Sequence, residues 1–152
     1  MEKLDVTDSP TYSTEWGMSR WHVTPASHDA LTTFGEAWLP PGDGHAMHNH
    51  PDSEEILYVL SGEGNQTIMN PDEFTYRIKP GDVVYVPKGV FHATFGAGWE
   101  PLRLIVVHVP GPADAVSPSD SGFRELERGE TQTWKRGPVL PAGQEAASNP
   151  GH

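Results

Sequence analysis

The chain has 152 residues, enough for one domain with its own core, and its 16 Gly and 15 Pro favour short strands joined by turns. Its net charge of −11 and pI near 5.0 argue against nucleic acid or an anionic membrane surface as a partner. Cysteine is absent, no apolar run could span a bilayer, and the N-terminus lacks an export signal, so we expect a cytoplasmic protein.

Strand-like segments begin after a polar stretch, residues 1–15, which we expect to be a flexible arm. Trp16–Thr24 has strand composition, and Leu31–Leu39 repeats it before a Pro-Pro-Gly stop. Further short strands separated by turn residues are predicted at Ala46–His50, Glu55–Leu60, Asn65–Met69, Phe74–Ile78, Val83–Val86, His92–Phe95 and Leu102–Val109. This even spacing indicates an all-β sandwich or small barrel.

The strand pattern ends after Pro110, where Pro, Gly, Ser and Asp become frequent. One helical or strand-like piece is possible at Phe123–Lys135. The sequence therefore predicts three parts, namely an arm at 1–15, a barrel domain at 16–110 and an extended, largely irregular tail at 111–152.

Two segments of the predicted barrel combine histidines and a carboxylate with turn-forming Gly and Pro. They read Gly42-x5-His48-x-His50-x4-Glu55-x6-Gly62 and Gly81-x5-Pro87-x-Gly89-x2-His92. Three imidazoles and one carboxylate form a ligand set that suits a divalent transition metal.

The spacing of the first segment allows its side chains to converge. His48 and His50 are two residues apart in an extended segment, so they leave the same face of the strand. Strict alternation would put Glu55 on the opposite face, but Pro51 interrupts the strand and resets its phase. On distance alone, either Glu54 or Glu55 could then be the carboxylate ligand.

These two segments resemble the two motifs of the cupin superfamily, G-x5-H-x-H-x3,4-E-x6-G and G-x5-P-x-G-x2-H-x3-N. The resemblance is specific over residues 42–62 and 81–95. Gly96 stands where the family pattern has Asn, which is not a metal ligand in the family. We therefore expect the metal site to be intact and only the turn and packing at the end of that strand to be weakened.

The resemblance implies a single jelly-roll (cupin) β-barrel with additional N-terminal strands. It also implies a metal held by His48, His50, Glu55 and His92, with Glu54 turned toward solvent. The implied cofactor is one divalent transition metal ion, with iron preferred and Mn, Ni, Cu, Co and Zn as alternatives.

Other candidate site residues are weaker. His45 precedes the ligands by three residues; an exposed loop position is the favoured interpretation, and a role as the catalytic residue is the alternative. Arg103 and His108 have opposite parity in the last strand, so at most one faces the interior. An inward Arg103 would suit a substrate with a carboxylate, and an outward arginine is the alternative. Tyr58 should point away from the metal if Glu55 points toward it.

Four protein ligands leave one or two positions of a six-coordinate metal open, which indicates a metal-dependent small-molecule enzyme. Cupins with this ligand set include dioxygenases that act on diketones, flavonols or catechol-like compounds, and oxalate-type decarboxylases. The preferred function is therefore a dioxygenase or decarboxylase acting on a diketone, enol, catechol-like compound or carboxylate. The alternatives are a redox-neutral isomerase, epimerase or lyase, with His45 or a Tyr as base, and a non-catalytic binding module.

The expected partners are a small-molecule substrate and a second copy of the chain. Two segments that contain Trp, Trp16–Val23 and Phe34–Leu39, carry more aromatic surface than a small barrel needs. Single-domain cupins commonly pair through such N-terminal strands, so the resemblance implies a symmetric homodimer.

Overall fold

A computed structural model describes residues 2–112, 123–128 and 130, in which the chain folds into two antiparallel sheets. Helical structure there consists of a 3-10 turn at Val6–Asp8 and a single α-helical turn, α1, at Pro25–His28, and neither is long enough to cross a membrane. The strands are β1 Thr11–Thr14, β2 Gly17–Val23, β3 Thr33–Leu39, β4 Gly44–His48, β5 Glu54–Ser61, β6 Gly64–Met69, β7 Glu73–Ile78, β8 Val83–Val86, β9 Phe91–Gly96, β10 Leu102–Val109 and β11 Arg124–Glu125.

The two sheets have the crossed connectivity of a jelly roll. The larger sheet has the order β11-β1-β2-β3-β10-β5-β8, and the smaller has the order β4-β9-β6-β7. Strands distant in sequence are neighbours in space, since β10 pairs with both β3 and β5. The predicted all-β jelly-roll barrel with additional N-terminal strands is confirmed.

Alternation along the strands separates the barrel interior from its outer face. β5 buries Glu55, Leu57 and Val59, whereas Tyr58 is 43% exposed and points away from the interior, as predicted. The inward-facing residues of β5 and β10 are apolar except near one end of each strand, where Glu55 and His108 lie. The buried apolar core consists of Ala37, Leu39, Leu57, Val59, Ile78, Val84, Val86, Leu102, Leu104 and Val106.

The N-terminal segment differs from the sequence prediction. Thr11–Thr14 was expected in a flexible arm, but it forms β1, which pairs with β2 and β11. Because pairing with neighbouring strands satisfies its backbone N–H and C=O groups, this polar segment can be ordered without an apolar pattern. Most of the predicted tail lies outside the described residues. Within them, the Leu126 N–H donates to the Thr11 carbonyl at 2.8 Å. The division into three parts stays a prediction.

Gly96 ends β9 in close contact with the backbone that precedes β4. Its N–H donates to the Asp43 carbonyl at 2.9 Å, and its carbonyl accepts from the Gly42 N–H at 2.8 Å. A Cβ at this position would lie 2.4 Å from the Pro40 carbonyl oxygen and 2.6 Å from that of Leu39. Gly96, which stands where the cupin pattern has Asn, is therefore closely packed. The expectation of weaker packing at the end of this strand is wrong.

We expect Gly96→Ala to lower the free energy of unfolding by about 1–3 kcal/mol, because the added carbon overpacks this contact. Gly98→Ala is the matched control and should cost less, since its Cβ would first meet the Glu63 backbone nitrogen at 3.2 Å. Urea denaturation of the metal-free proteins, followed by circular dichroism, measures both values. A Gly96→Ala protein as stable as the wild type would contradict the close packing.

Candidate metal centre

His48 and His92 face each other because β4 and β9 pair them in register. Their imidazole centroids are 4.3 Å apart. Nδ1 of His48 lies 2.7 Å from the Ala46 carbonyl oxygen, and Nδ1 of His92 lies 3.0 Å from that of Val90. Only a protonated ring nitrogen can donate to a carbonyl, so both rings carry their proton on Nδ1 and present an Nε2 lone pair to a metal.

His50 lies two residues beyond the end of β4 and is held by a turn of the second motif. The Gly89 N–H donates to the His50 carbonyl at 2.9 Å, and the Asn49 side-chain amide donates to the Gly89 carbonyl at 3.2 Å. Gly89 has a φ of +77°, which residues with a side chain adopt only at a cost. A glycine of one motif therefore fixes a candidate ligand of the other.

Glu55 is the inward carboxylate of β5 and is only 7% exposed. Its Oε2 lies 2.9 Å from Nε2 of His92, and its Oε1 lies 3.9 Å from Nε2 of His50. Glu54 points to the other face of the strand, where its carboxylate accepts a 2.8 Å hydrogen bond from the Tyr85 hydroxyl. The structure thus separates the two glutamates as the resemblance implied.

The buried polar atoms of this cluster fit a cation. Ring nitrogens of His48, His50 and His92 lie within 4.8 Å of one another, and the ligand atoms of His50, Glu55 and His108 form a second such group. In the described part of the chain, Nε2 of His50, Nε2 of His92 and Oε2 of Glu55 are buried without an assigned hydrogen bond, although the last two atoms lie 2.9 Å apart. Such atoms cost free energy, and one divalent ion would satisfy all three. Each ligand assignment stays a prediction.

The protonation states of His48, His50 and Glu55 also suit a divalent ion. Burial lowers the pKa of His48 to about 2 and that of His50 to about 4, so both rings are neutral near pH 7. Burial raises the pKa of Glu55, but the neighbouring His108 and His92 imidazoles outweigh it and hold this pKa below its ordinary value. Burial lowers the pKa of His92, but the Glu55 carboxylate outweighs it and gives a net rise.

The cluster forms one wall of a cavity of about 260 Å³. The apolar residues on the other walls are Trp16, Trp21, Ala37, Leu39, Leu57, Leu104 and Val106. Two of the tryptophans that suggested a homodimer therefore contribute to the cavity. The homodimer stays a prediction with less aromatic surface to support it.

His45 also lines this cavity. It lies in β4, half-buried, with its ring 5.0 Å from Trp16 and 3.7 Å from His48. An irregularity in the pairing of β4 with β9, between His45 and His48, brings both side chains to the cavity despite their odd spacing. The exposed loop position considered for His45 is wrong, and its catalytic role stays a prediction.

Of the two candidates in β10, His108 faces the cavity and Arg103 faces outward. The Arg103 guanidinium donates to Glu36 at 2.6 and 3.0 Å and lies over the Trp38 ring, so it cannot serve a substrate inside the barrel. Nε2 of the buried His108 lies 3.1 Å from Oε1 of Glu55. The sequence left His108 undecided, because apart from Arg103 and His108 both rows of this strand are apolar.

Comparison with known proteins agrees with this architecture. The family model described as "Cupin domain" matches residues 36–108. Protein SchB of Streptomyces halstedii is 30% identical over 99 residues, which cover 64% of this chain and 70% of SchB. The oxalate-binding protein of Thermotoga maritima is 32% identical over 82 residues, which cover 54% of this chain and 65% of that protein.

A solved structure of Bacillus subtilis oxalate decarboxylase, studied for its Mn(II) centres, matches 77% of this chain with a TM-score of 0.67 and 20% identity. The match covers 32% of that larger chain, so the likeness concerns the fold. The chain belongs to the cupin superfamily. Its fold and buried His/Glu cluster support a metal-dependent cupin.

We expect His50→Ala and Glu55→Ala to abolish tight metal binding while the fold is retained. Each change removes a proposed ligand, and affinity should fall by more than roughly 100-fold, since losses outside the ligand set already cost 10–100-fold. Elemental analysis of protein purified without a metal-affinity tag, with circular dichroism, measures both properties. His28→Ala, on the exposed turn α1, is the control. Full metal occupancy in either ligand variant would refute its assignment.

Proposed function

We propose that this chain is a metal-dependent dioxygenase that acts on a small enol, diketone or catechol-like substrate. The observation that supports this proposal is the make-up of the cavity, whose lining combines a cluster of imidazoles with apolar, partly aromatic residues. No Lys or Arg is found among the lining residues that the structure describes. At about 260 Å³ the cavity is smaller than the roughly 300–1,000 Å³ of typical drug-sized pockets, which favours a small substrate.

Charge balance favours a monoanion over a dianion. Three neutral imidazoles and the Glu55 carboxylate would leave a divalent ion with a single net positive charge. A monoanionic enolate or catecholate neutralises that charge. A dianion such as oxalate would leave a buried negative charge, which is costly where no fixed cation is available to pair with it.

Each side chain has a role in this proposal. His48, His50, Glu55 and His92 would hold the metal, which when bound supplies Lewis acidity and, for a redox-active ion, electron transfer. The aromatic wall excludes water and presents a flat surface to a conjugated substrate.

Two further groups can act on substrate oxygens. Nε1 of Trp16 is buried without a hydrogen-bond partner among the described residues, so its N–H is available to a substrate oxygen. His45, stacked on this tryptophan, would accept the proton of a substrate hydroxyl.

Oxalate-type decarboxylation is the second candidate. The similarity to the Thermotoga maritima oxalate-binding protein, of which the matched segment covers 65%, supports oxalate as a ligand. A redox-neutral isomerase or lyase is the third, and the position of His45 as a base inside the cavity favours it.

The Fe(II)-loaded chain should consume O₂ with acetylacetone or catechol and incorporate oxygen into the product. It should release no formate from oxalate. An oxygen electrode and mass spectrometry with ¹⁸O₂ measure the first reaction, and formate detection measures the second. Glu55→Ala is the inactive control. Formate release without O₂ uptake would replace the dioxygenase proposal by decarboxylation, and substrate isomerisation without O₂ uptake would replace it by the redox-neutral alternative.

We expect Trp21→Ala to raise KM for an aromatic substrate by about two- to tenfold, because aromatic contacts contribute roughly 0.5–1.5 kcal/mol. Metal content should stay at the wild-type level, since Trp21 lies in the cavity wall and outside the ligand set. Trp38→Ala is the matched control, because Trp38 lies on the outer face under Arg20 and Arg103. A KM shift of the same size in both variants would count against substrate contact at Trp21.

A further inference from the structure

His108 is a fourth histidine beside the proposed metal position, and the proposed ligand set does not include it. It is 5% exposed, and both of its ring nitrogens have protein partners. Nε2 lies 3.1 Å from Oε1 of Glu55, and Nδ1 lies 2.9 Å from the hydroxyl oxygen of Thr33, which is fully buried.

The two neighbours of the His108 ring decide which nitrogen carries the proton. A carboxylate oxygen only accepts, so Nε2 of His108 carries a hydrogen and donates it to Oε1 of Glu55. The neutral ring then has no hydrogen on Nδ1, which accepts the hydrogen of the Thr33 hydroxyl at 2.9 Å. The oxygen of this hydroxyl accepts in turn from the backbone N–H of His108 at 3.3 Å.

This tautomer is the opposite of the one at His48 and His92. Those rings donate Nδ1–H to backbone carbonyls and offer Nε2 lone pairs to the centre of the cluster. His108 offers an N–H there instead. Direct metal binding through Nε2 of His108 would require the ring proton on Nδ1. The Thr33 hydroxyl oxygen would then accept from two N–H groups, and Nε2 would face the Glu55 carboxylate without a hydrogen to donate.

The two oxygens of Glu55 consequently differ. Oε1 accepts from His108, whereas Oε2 is buried beside Nε2 of His92 without a hydrogen bond. We propose that His108, oriented by Thr33, is a positioning residue that occupies Oε1 of Glu55 so that Oε2 alone is offered to the metal. A carboxylate that binds through one oxygen leaves one more coordination position for substrate. This inference rests on the metal centre of the proposed function.

The test uses the full chain loaded with Mn(II). We expect His108→Leu to weaken Mn(II) binding about 10–100-fold, the usual cost of losing a partner that orients a ligand. His108→Gln should recover most of the affinity, because an amide N–H of similar reach can donate to the carboxylate. Titration of the electron paramagnetic resonance signal of free Mn(II) measures the affinity.

A second pair of variants leaves the imidazole in place. Thr33→Val keeps the side-chain shape but removes the hydroxyl, and it should weaken Mn(II) binding in the same direction as His108→Leu. Thr33→Ser retains the hydroxyl and should bind Mn(II) like the wild type. Urea unfolding of the metal-free proteins provides the structural control. A purely structural role would change the free energy of unfolding without the recovery of Mn(II) affinity in His108→Gln and Thr33→Ser.

Pulsed spin resonance on protein with ¹⁵N-labelled histidine counts the imidazoles bound to Mn(II). We expect three in the wild type and three in His108→Leu. A fall from four to three would make His108 a ligand and overturn the inference. Unchanged Mn(II) affinity in His108→Leu and Thr33→Val would also overturn it, with the proposed function intact. A wild-type chain that binds no Mn(II), Fe(II) or other divalent transition metal would overturn both.

Discussion

A carboxylate removed from water must be compensated, and Glu55 is the point at which this barrel meets that requirement. It lies in the interior with the imidazoles of His92 and His108 on either side, and these rings come from two different sheets. Such an arrangement is stable only if every group has a defined proton and a defined partner. The placement of the surrounding strands, turns and hydroxyls can be understood from this one need.

Several parts of the site followed from the sequence because they depend on local rules. Alternation in β5 required Glu54 and Glu55 to point to opposite faces, and Pro51 separated that strand from the histidine segment. The choice of Glu55 as the inward residue, and the jelly-roll fold itself, came from the resemblance to the cupin motifs. All four motif glycines have φ between +73° and +93°, which explains in physical terms why the pattern contains them.

Other parts depended on pairing between distant strands, which one sequence does not reveal. The irregularity that brings His45 beside His48 exists only in the ladder between β4 and β9. Parity showed that Arg103 and His108 are on opposite faces, but only the position of β10 between β3 and β5 fixes which face is inside. The order in β1 likewise comes from partners on both sides, not from an apolar pattern.

Glu55 and His108 are direct partners in the antiparallel ladder of β5 and β10. A slip of that ladder by one residue would turn one of them to the outer face, while the backbone hydrogen bonds could still form. A mispaired chain could thus keep its sheet content and lose its metal-binding set. Binding of a metal ion would therefore distinguish correctly paired chains from mispaired chains that give the same circular dichroism spectrum.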